Sequence, residues 1–425
     1  MPASIAGAAS AVRPATGHVS PAAGHPLAYH YAGRATTAGA TFSCQQPAGA
    51  DPNCYTPAEL ATAYDIPTAR YQGTGQSIAI VDAFGDPEIT SELATFDTVF
   101  GYPDANLSIA YPDGQPAFDP ASADELSWSG EVALDLESAH AIAPDAAITL
   151  VVARSDADAD IEDAIRYAVG HDLGPVLSLS FGEAESCQAA SIRLAEHALF
   201  RQATRMSISV FAAAGDTGAA QAACDGSSLS LSASTPAADP YVTSVGATSL
   251  TATQPDGGYV SETAWNDAYG ASGGGFSRYF QRPCYQAGIG AAGSARGVPD
   301  VSYSGDVNNG LLIAWSQGQP GNAGAFFVFG GTSAGAPQWA AITTLADQAA
   351  GRRLGLLNPA LYGLAASGAG PRVFHDVTTG NNGVSAPGPG GTVTPVGGYP
   401  AAAGWDPVTG LGSPDAARLI RALAR

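Results

Sequence analysis

The chain has 425 residues, with 17 basic and 38 acidic side chains, a formal net charge of −21 at pH 7, and arginine as its sole strongly basic residue type. That balance excludes nucleic acid and anionic membrane surfaces as partners, since both need a basic face. With 45% hydrophobic and 13% charged residues, the chain is too apolar for a disordered acidic tail, and no stretch reaches the ~20 apolar residues of a membrane-spanning helix.

Residues 1–42 are rich in Ala, Gly, Pro, Ser and Thr and lack an apolar period. They read as a poorly ordered leader or linker, without the charged and apolar regions of a secretory signal. Residues 43–425 read as one large α/β domain. Ser77–Ala83 (SIAIVDA) is a buried strand, and Pro87–Phe100 an amphipathic helix. A helix through Gly130–Asp135 (GEVALD) ends at Pro144. Strands follow at Ile148–Ala153 and Val176–Phe181, with helices at Asp158–Val169 and Ala189–Met206. Ile208–Ala213, Val242–Val245 and Ala325–Phe329 are further strands, and a helix runs from about Ser333 to Gln348. Short apolar runs separated by helices point to a mostly parallel sheet with helices on both faces. Segments 250–325 and 365–410 read as loop-rich.

The cysteines are Cys44, Cys54, Cys187, Cys224 and Cys284. Without a CxxC pair, structural zinc is not expected. Cys44 and Cys54 flank a short loop that suits a local disulfide. Cys187 and Cys224 could form a second and leave Cys284 over. The alternative is five buried thiols.

Four features concentrate chemistry. In Gly330–Pro337 (GGTSAGAP) a strand enters a glycine turn, then Ser333, then a helix, as in a nucleophile elbow. An ordinary serine N-cap has the same look. Pro337 is tolerable if it lies in the first helical turn. Glu131 and Asp135 are four apart, so their carboxyls share one helix face. Buried, they would share a proton; exposed, they would be a solvated acidic face. Asp216, in AAAGDTG, puts a carboxyl on a turn just past a strand, where an Asx-turn is the plain alternative. Asp376 and Asp406 lie in glycine-rich loops whose carbonyls could complete an oxygen cage for Ca²⁺.

Taken together, ExxxD, SLSFG, AAAGDTG, GGTSAGAP and GWDPVTGLG resemble the sedolisin family of serine-carboxyl peptidases, from about Tyr55 through Pro414. The nucleophile motif alone is shared with subtilisins; the ordered set is specific. The resemblance implies a subtilisin-like fold, a calcium ion, an N-terminal prodomain and secreted endopeptidases or tripeptidyl-peptidases active in acid. Fewer than 55 residues precede the catalytic match. Carried over, Ser333 is the nucleophile, Glu131 the general base, Asp135 its orienting partner and Asp216 the oxyanion donor. Asp376 and Asp406, with the carbonyls of Val377, Ala402 and Gly404, match the calcium ligands; Ala402 stands where glycine is expected. Asp82, after the first core strand, is read as a carboxyl that steadies Glu131. Phe181 sits where some relatives have tryptophan.

These assignments imply peptide or protein substrates, a monomer, an extracellular location and an optimum between about pH 3 and 5, judged from ordinary carboxyl pKa values. One rival is a Ser-His-Asp subtilisin. None of the seven histidines lies in an HGT-type motif, and His140, five residues past Asp135, should point about 140° away from its face. The other rival is an inert binding domain on the same fold.

Overall fold

The structure, a computed structural model, describes residues 20–21, 29–45, 53–226, 228–288, 293–317, 323–387 and 393–425. Strands β1 (Tyr29–Arg34) and β2 (Asn53–Tyr55) precede helix α1 (Pro57–Ala63). There follow β3 (Ser77–Ala83), α2 (Ile89–Phe100), β4 (Asn106–Ala110), α3 (Ala123–Ile142), β5 (Ala147–Ala153) and α4 (Asp158–Gly170). Next come β6 (Val176–Leu179), β7 (Phe181–Ala184), α5 (Ala190–Arg205), β8 (Ser209–Ala213), β9 (Thr243–Ala252) and β10 (Tyr259–Ala264). Strands β11 (Val301–Ser304), β12 (Asn309–Ala314) and β13 (Ala325–Phe329) lead to helix α6 (Thr332–Ala350).

The central sheet has the order β10-β9-β8-β6-β3-β5-β4, with β11 also beside β9. All its pairings are parallel except β9 with β10. The alternation of each strand sends side chains to two different cores. Ile78 and Ile80 of β3 pack with α3 and α6, whereas Ala79 and Val81 pack with α4 and α5. Both faces are therefore covered, which explains why these strands read as continuous apolar runs.

A second sheet, in the order β1-β13-β12-β2, corrects two expectations. The strand before the nucleophile turn, β13, belongs to this mainly antiparallel sheet rather than to the parallel one. Its partner β1 lies inside the stretch read as a leader. Tyr29 packs edge-on against Trp315 and Phe327, and Phe42 is buried against Phe326. A six-residue edge strand in an Ala/Gly-rich context shows no apolar period, because its partners are rings more than 280 positions away in sequence. The backbone of Ser20–Pro21 also pairs antiparallel with Phe181–Gly182 of β7. Residues 1–19 and 22–28 lie outside the described residues. The segment read as loop-rich, 250–325, holds β10, β11 and β12.

Two disulfides form, Cys44–Cys54 and Cys187–Cys224, with Cα separations of 5.4 and 5.1 Å. Cys284 is a free, exposed thiol. No helix among the described residues is long and apolar enough to cross a membrane.

Candidate active site

In a parallel sheet, chemistry collects at the carboxyl ends of the strands. Three adjacent strands supply it here. Asp82 is the penultimate residue of β3, Ser180 follows β6 directly, and Asp216 lies just beyond β8. Two helices packed side by side above the sheet supply the rest: α3 presents Glu131 and Asp135, one turn apart, and α6 presents Ser333 as its second residue.

The turn into α6 depends on Gly331. Its φ of 89° and ψ of 171° lie in a region open essentially to glycine alone. A Cβ there would stand 2.4 Å from Asp216 Oδ2. Asp216 Oδ1 accepts the Thr332 N–H at 2.8 Å and the Thr332 hydroxyl at 2.7 Å. Thr332 Oγ1 in turn accepts the Gly215 N–H at 3.0 Å. Asp216 is thus clamped to the residue before Ser333. A Cβ on Gly335 would lie 2.8 Å from Val245 Cγ1, so the small residues of the motif let α6 settle close on β9.

Ser333 is fully buried, and its hydroxyl donates to the Ser180 carbonyl at 3.4 Å. Pro337 lies in the second turn of α6, not the first. The helix starts one residue earlier than expected, and the missing N–H is the one that would have bonded the Ser333 carbonyl.

Helix α3 is buried on all sides from Trp128 to Ile142. That excludes the solvated acidic face for Glu131 and Asp135. Asp82, Glu131 and Asp135 have no exposed surface, and none of their carboxyl oxygens has a hydrogen-bond partner among the described residues. Burial raises the Asp82 pKa to about 7. Glu131 is pushed well above the usual range by burial, then by the charges of Asp82 and Asp216, while the neighbouring Ser333 hydroxyl opposes the rise. Asp135 is raised by burial, then by Asp82 and Glu131, and the Ser180 hydroxyl opposes. Three carboxyls crowded together and fully buried cannot all ionise, so they titrate as a set and hold protons that exposed carboxyls would have lost. Phe181 packs against Trp128, ring centroids 6.0 Å apart, so the indole comes from α3 instead of the SLSFG segment.

The described histidines are engaged elsewhere. His140 Nε2 bonds the Pro103 carbonyl and lies within ion-pair distance of Asp97 Oδ1, both at 3.0 Å. His197 bonds Asp239 at 2.7 Å. His171 bonds the Tyr167 carbonyl, His375 stacks on Tyr259 and His30 meets Tyr269. His18 and His25 lie outside the described residues.

The C-terminal loops bring the other carboxylates together. Asp376 accepts the Gly404 N–H at 2.9 Å, and Asp406 accepts the Ala402 N–H at 2.9 Å. Asp406 is buried and also accepts from the N–H groups of Val408 and Thr409. The Thr409 hydroxyl sits 3.2 Å from the Asp406 carboxylate and 3.5 Å from the Val377 carbonyl. Both carboxylates therefore meet the same Ala402–Gly404 stretch through its N–H groups. No group of three or more His, Cys, Asp or Glu side chains with metal-holding geometry occurs among the described residues.

Sequence reasoning overlooked Ser180 and Thr332, although both stand inside quoted motifs. Their roles are in contacts, which spacing does not report.

A subtilisin-like α/β fold with a buried serine among carboxyls, and no described histidine beside it, defines a serine-carboxyl class of protein. No family model matches the chain. It is 38% identical over 389 residues to kumamolisin of Bacillus sp. (strain MN-32), a match covering 88% of this chain and 64% of that protein. It is 30% identical over 382 residues to sedolisin of Pseudomonas sp. (strain 101), covering 86% and 60%. Among solved structures, Pseudomonas sedolisin, a serine-carboxyl proteinase in complex with two molecules of pseudo-iodotyrostatin, aligns with a TM-score of 0.74 at 28% identity, covering 88% of this chain and 98% of that one. The chain spans less than two thirds of the length of the curated relatives it matches. Its similarity is to peptidases of the sedolisin family, over most of its own length.

Proposed function

We propose that this chain is an acid-active serine-carboxyl peptidase acting on protein or peptide substrates. Ser333 Oγ attacks the scissile carbonyl and Glu131 takes its proton. Asp135 orients Glu131, Asp82 steadies it, and Asp216 donates a hydrogen bond to the tetrahedral oxyanion. Collapse expels the amine, protonated by Glu131, and leaves acyl-Ser333. Water, activated by the same carboxylate, then releases the acid. The observation that supports this most is the burial of Ser333 beside Glu131, with Asp216 clamped to the adjoining residue.

A carboxyl donor must keep its proton, and buried carboxyls keep theirs best in acid. Burial and mutual repulsion raise the first ionisation of the set, so the ascending limb lies at or above the upper end of the pH 3–5 window inferred from exposed carboxyls. The working range stays on the acid side of neutrality, because further ionisation would set carboxylate against carboxylate.

Asp376 and Asp406, with the carbonyls of Val377, Ala402 and Gly404, fit a hard cation such as Ca²⁺, since every donor is oxygen. Bound there, the ion would tie the C-terminal loops together. The two disulfides accord with an oxidising, extracellular setting.

Hydrolysis of casein or a peptide mixture is measured at pH 4 and pH 8 for wild type and Ser333→Ala. Activity in acid that falls by several orders of magnitude in the variant is expected. Equal rates in both proteins, or activity confined to pH 8, refute the reading. An absence of hydrolysis in both supports the inert binding domain.

A further inference from the structure

The nucleophile turn holds a hydroxyl whose direction the backbone decides. Thr332, the first residue of α6, is fully buried. The Gly215 N–H meets its Oγ1 at 3.0 Å. A backbone N–H can only donate, so Oγ1 accepts there and keeps its own proton to give. The acceptor of that proton is Asp216 Oδ1, at 2.7 Å. The Thr332 N–H donates to the same oxygen at 2.8 Å.

Two donors therefore converge on Oδ1. A proton on Oδ1 would displace the Thr332 hydroxyl proton, and no second acceptor bonds that hydroxyl among the described residues. When Asp216 is protonated, its proton consequently sits on Oδ2. Oδ2 is also the oxygen nearer the nucleophile turn. A Cβ built on Gly331 would stand 2.4 Å from Oδ2 and 3.6 Å from Oδ1.

We propose that Thr332 is a positioning residue that fixes the proton of Asp216 on Oδ2, through hydrogen bonds running from the Gly215 N–H to Thr332 Oγ1 and on to Asp216 Oδ1. The inference deepens the peptidase reading and rests on it for its kinetic consequences. A carboxyl serves an oxyanion only if the proton is on the oxygen that faces it. An amide donor has that settled covalently; a carboxyl has two like oxygens and needs a neighbour to tell them apart. The same hydroxyl acts on ionisation, because a donor to a carboxylate favours its charged form. From α3, the charge of Glu131 faces Asp216 and opposes that ionisation; from α6, the two Thr332 donors face it.

The test uses Thr332→Val, which keeps the shape and removes the hydroxyl, Thr332→Ala, which removes the same hydroxyl with less bulk, and Thr332→Ser, which keeps it. Either hydroxyl-free variant should lower kcat about tenfold, the equivalent of one net hydrogen bond, with KM within about twofold. The descending limb of kcat/KM, where Asp216 loses its proton, should move up by about one pH unit, because a donor to the charged form is gone. The ascending limb should stay in place. Thr332→Ser should restore both kcat and the limb. Melting temperatures from pH 3 to pH 8 give a readout without catalysis. The gap between wild type and Thr332→Val should widen as pH rises, since only wild type helps Asp216 ionise. In an Asp216→Asn background the same gap should not change with pH. A hydroxyl-free variant whose descending limb stays at the wild-type position overturns the proposal, as does a serine variant that behaves like valine. A melting gap with the same pH dependence in both backgrounds overturns it too. A wild type inactive at every pH overturns the peptidase reading instead, and the melting gaps still decide on Thr332.

Discussion

Gly331→Ala is the sharpest single perturbation of this site. Two costs follow from the structure. The backbone at φ 89°, ψ 171° is a region that alanine enters at about 1–3 kcal/mol. The new methyl would also stand 2.4 Å from Asp216 Oδ2, whereas ordinary contact begins at 3.4 Å, so 3.4 − 2.4 = 1.0 Å of movement is required. Asp216 is held by Thr332 at 2.8 and 2.7 Å, and a 1.0 Å retreat breaks both bonds. If Asp216 is the oxyanion donor, its loss lowers kcat by about 10²–10³, with a small change in KM because ground-state binding is untouched. The assay is steady-state peptide hydrolysis in acid, alongside thermal melting. A variant that melts about as wild type does and keeps kcat within about threefold refutes the reasoning, for then neither the glycine conformation nor the Asp216 position matters.

Asp82→Asn removes a charge that raises both Glu131 and Asp135; the ascending limb of kcat/KM should move to lower pH, and a limb that moves up contradicts the assignment. The fold should be more stable in acid than at neutrality. Burial raises Asp82 and Asp347 to about 7, Glu196 to about 8, and Glu183 and Asp86 to about 9. The unfolded chain loses these protons from about pH 4 upward while the folded one retains them, so stability is lost as pH rises, by about 1.4 kcal/mol per pH unit for each such carboxyl; melting temperatures that rise from pH 4 to pH 7 contradict this. Replacing Cys187 and Cys224 by Ser opens a loop of sequence separation 37 and should cost about 4 kcal/mol by chain entropy, measured by denaturant titration. Chelation with EDTA should lower the melting temperature of wild type and leave Asp406→Asn unmoved, if the C-terminal loops hold calcium.

The strands and helices of the central layer were legible because their residues obey a simple period. Ser77–Ala83 is apolar throughout since both its faces are covered, and Ala190–Arg205 alternates as a helix with one wet face does. The site was legible as residue types but not as environments. Two acids at helical spacing look alike in water and in a core, and the answer for Glu131 and Asp135 came from what surrounds α3: α6 on one side and the sheet beneath. Pro337 was read into the first turn, but as the sixth residue of α6 it lies in the second. Strand β1 was missed because its partners lie near the far end of the chain. Ser180 was in plain view within SLSFG, yet nothing local says that its hydroxyl points at Ser333.

The site's parts are scattered along the chain. Ser333 meets Ser180 from 153 residues away, and Thr332 meets Asp216 from 116. Contacts of such range are slow to form, since long loops must close before they are rewarded. The constellation therefore exists only once the sheet and both helices α3 and α6 are in place. A ribosome-bound or half-folded chain carries the serine and the acids but not their arrangement. For a protein proposed to cut other polypeptides, that delay is a safeguard during its own biogenesis: it cannot attack its unfolded sisters until it has itself ceased to be a substrate.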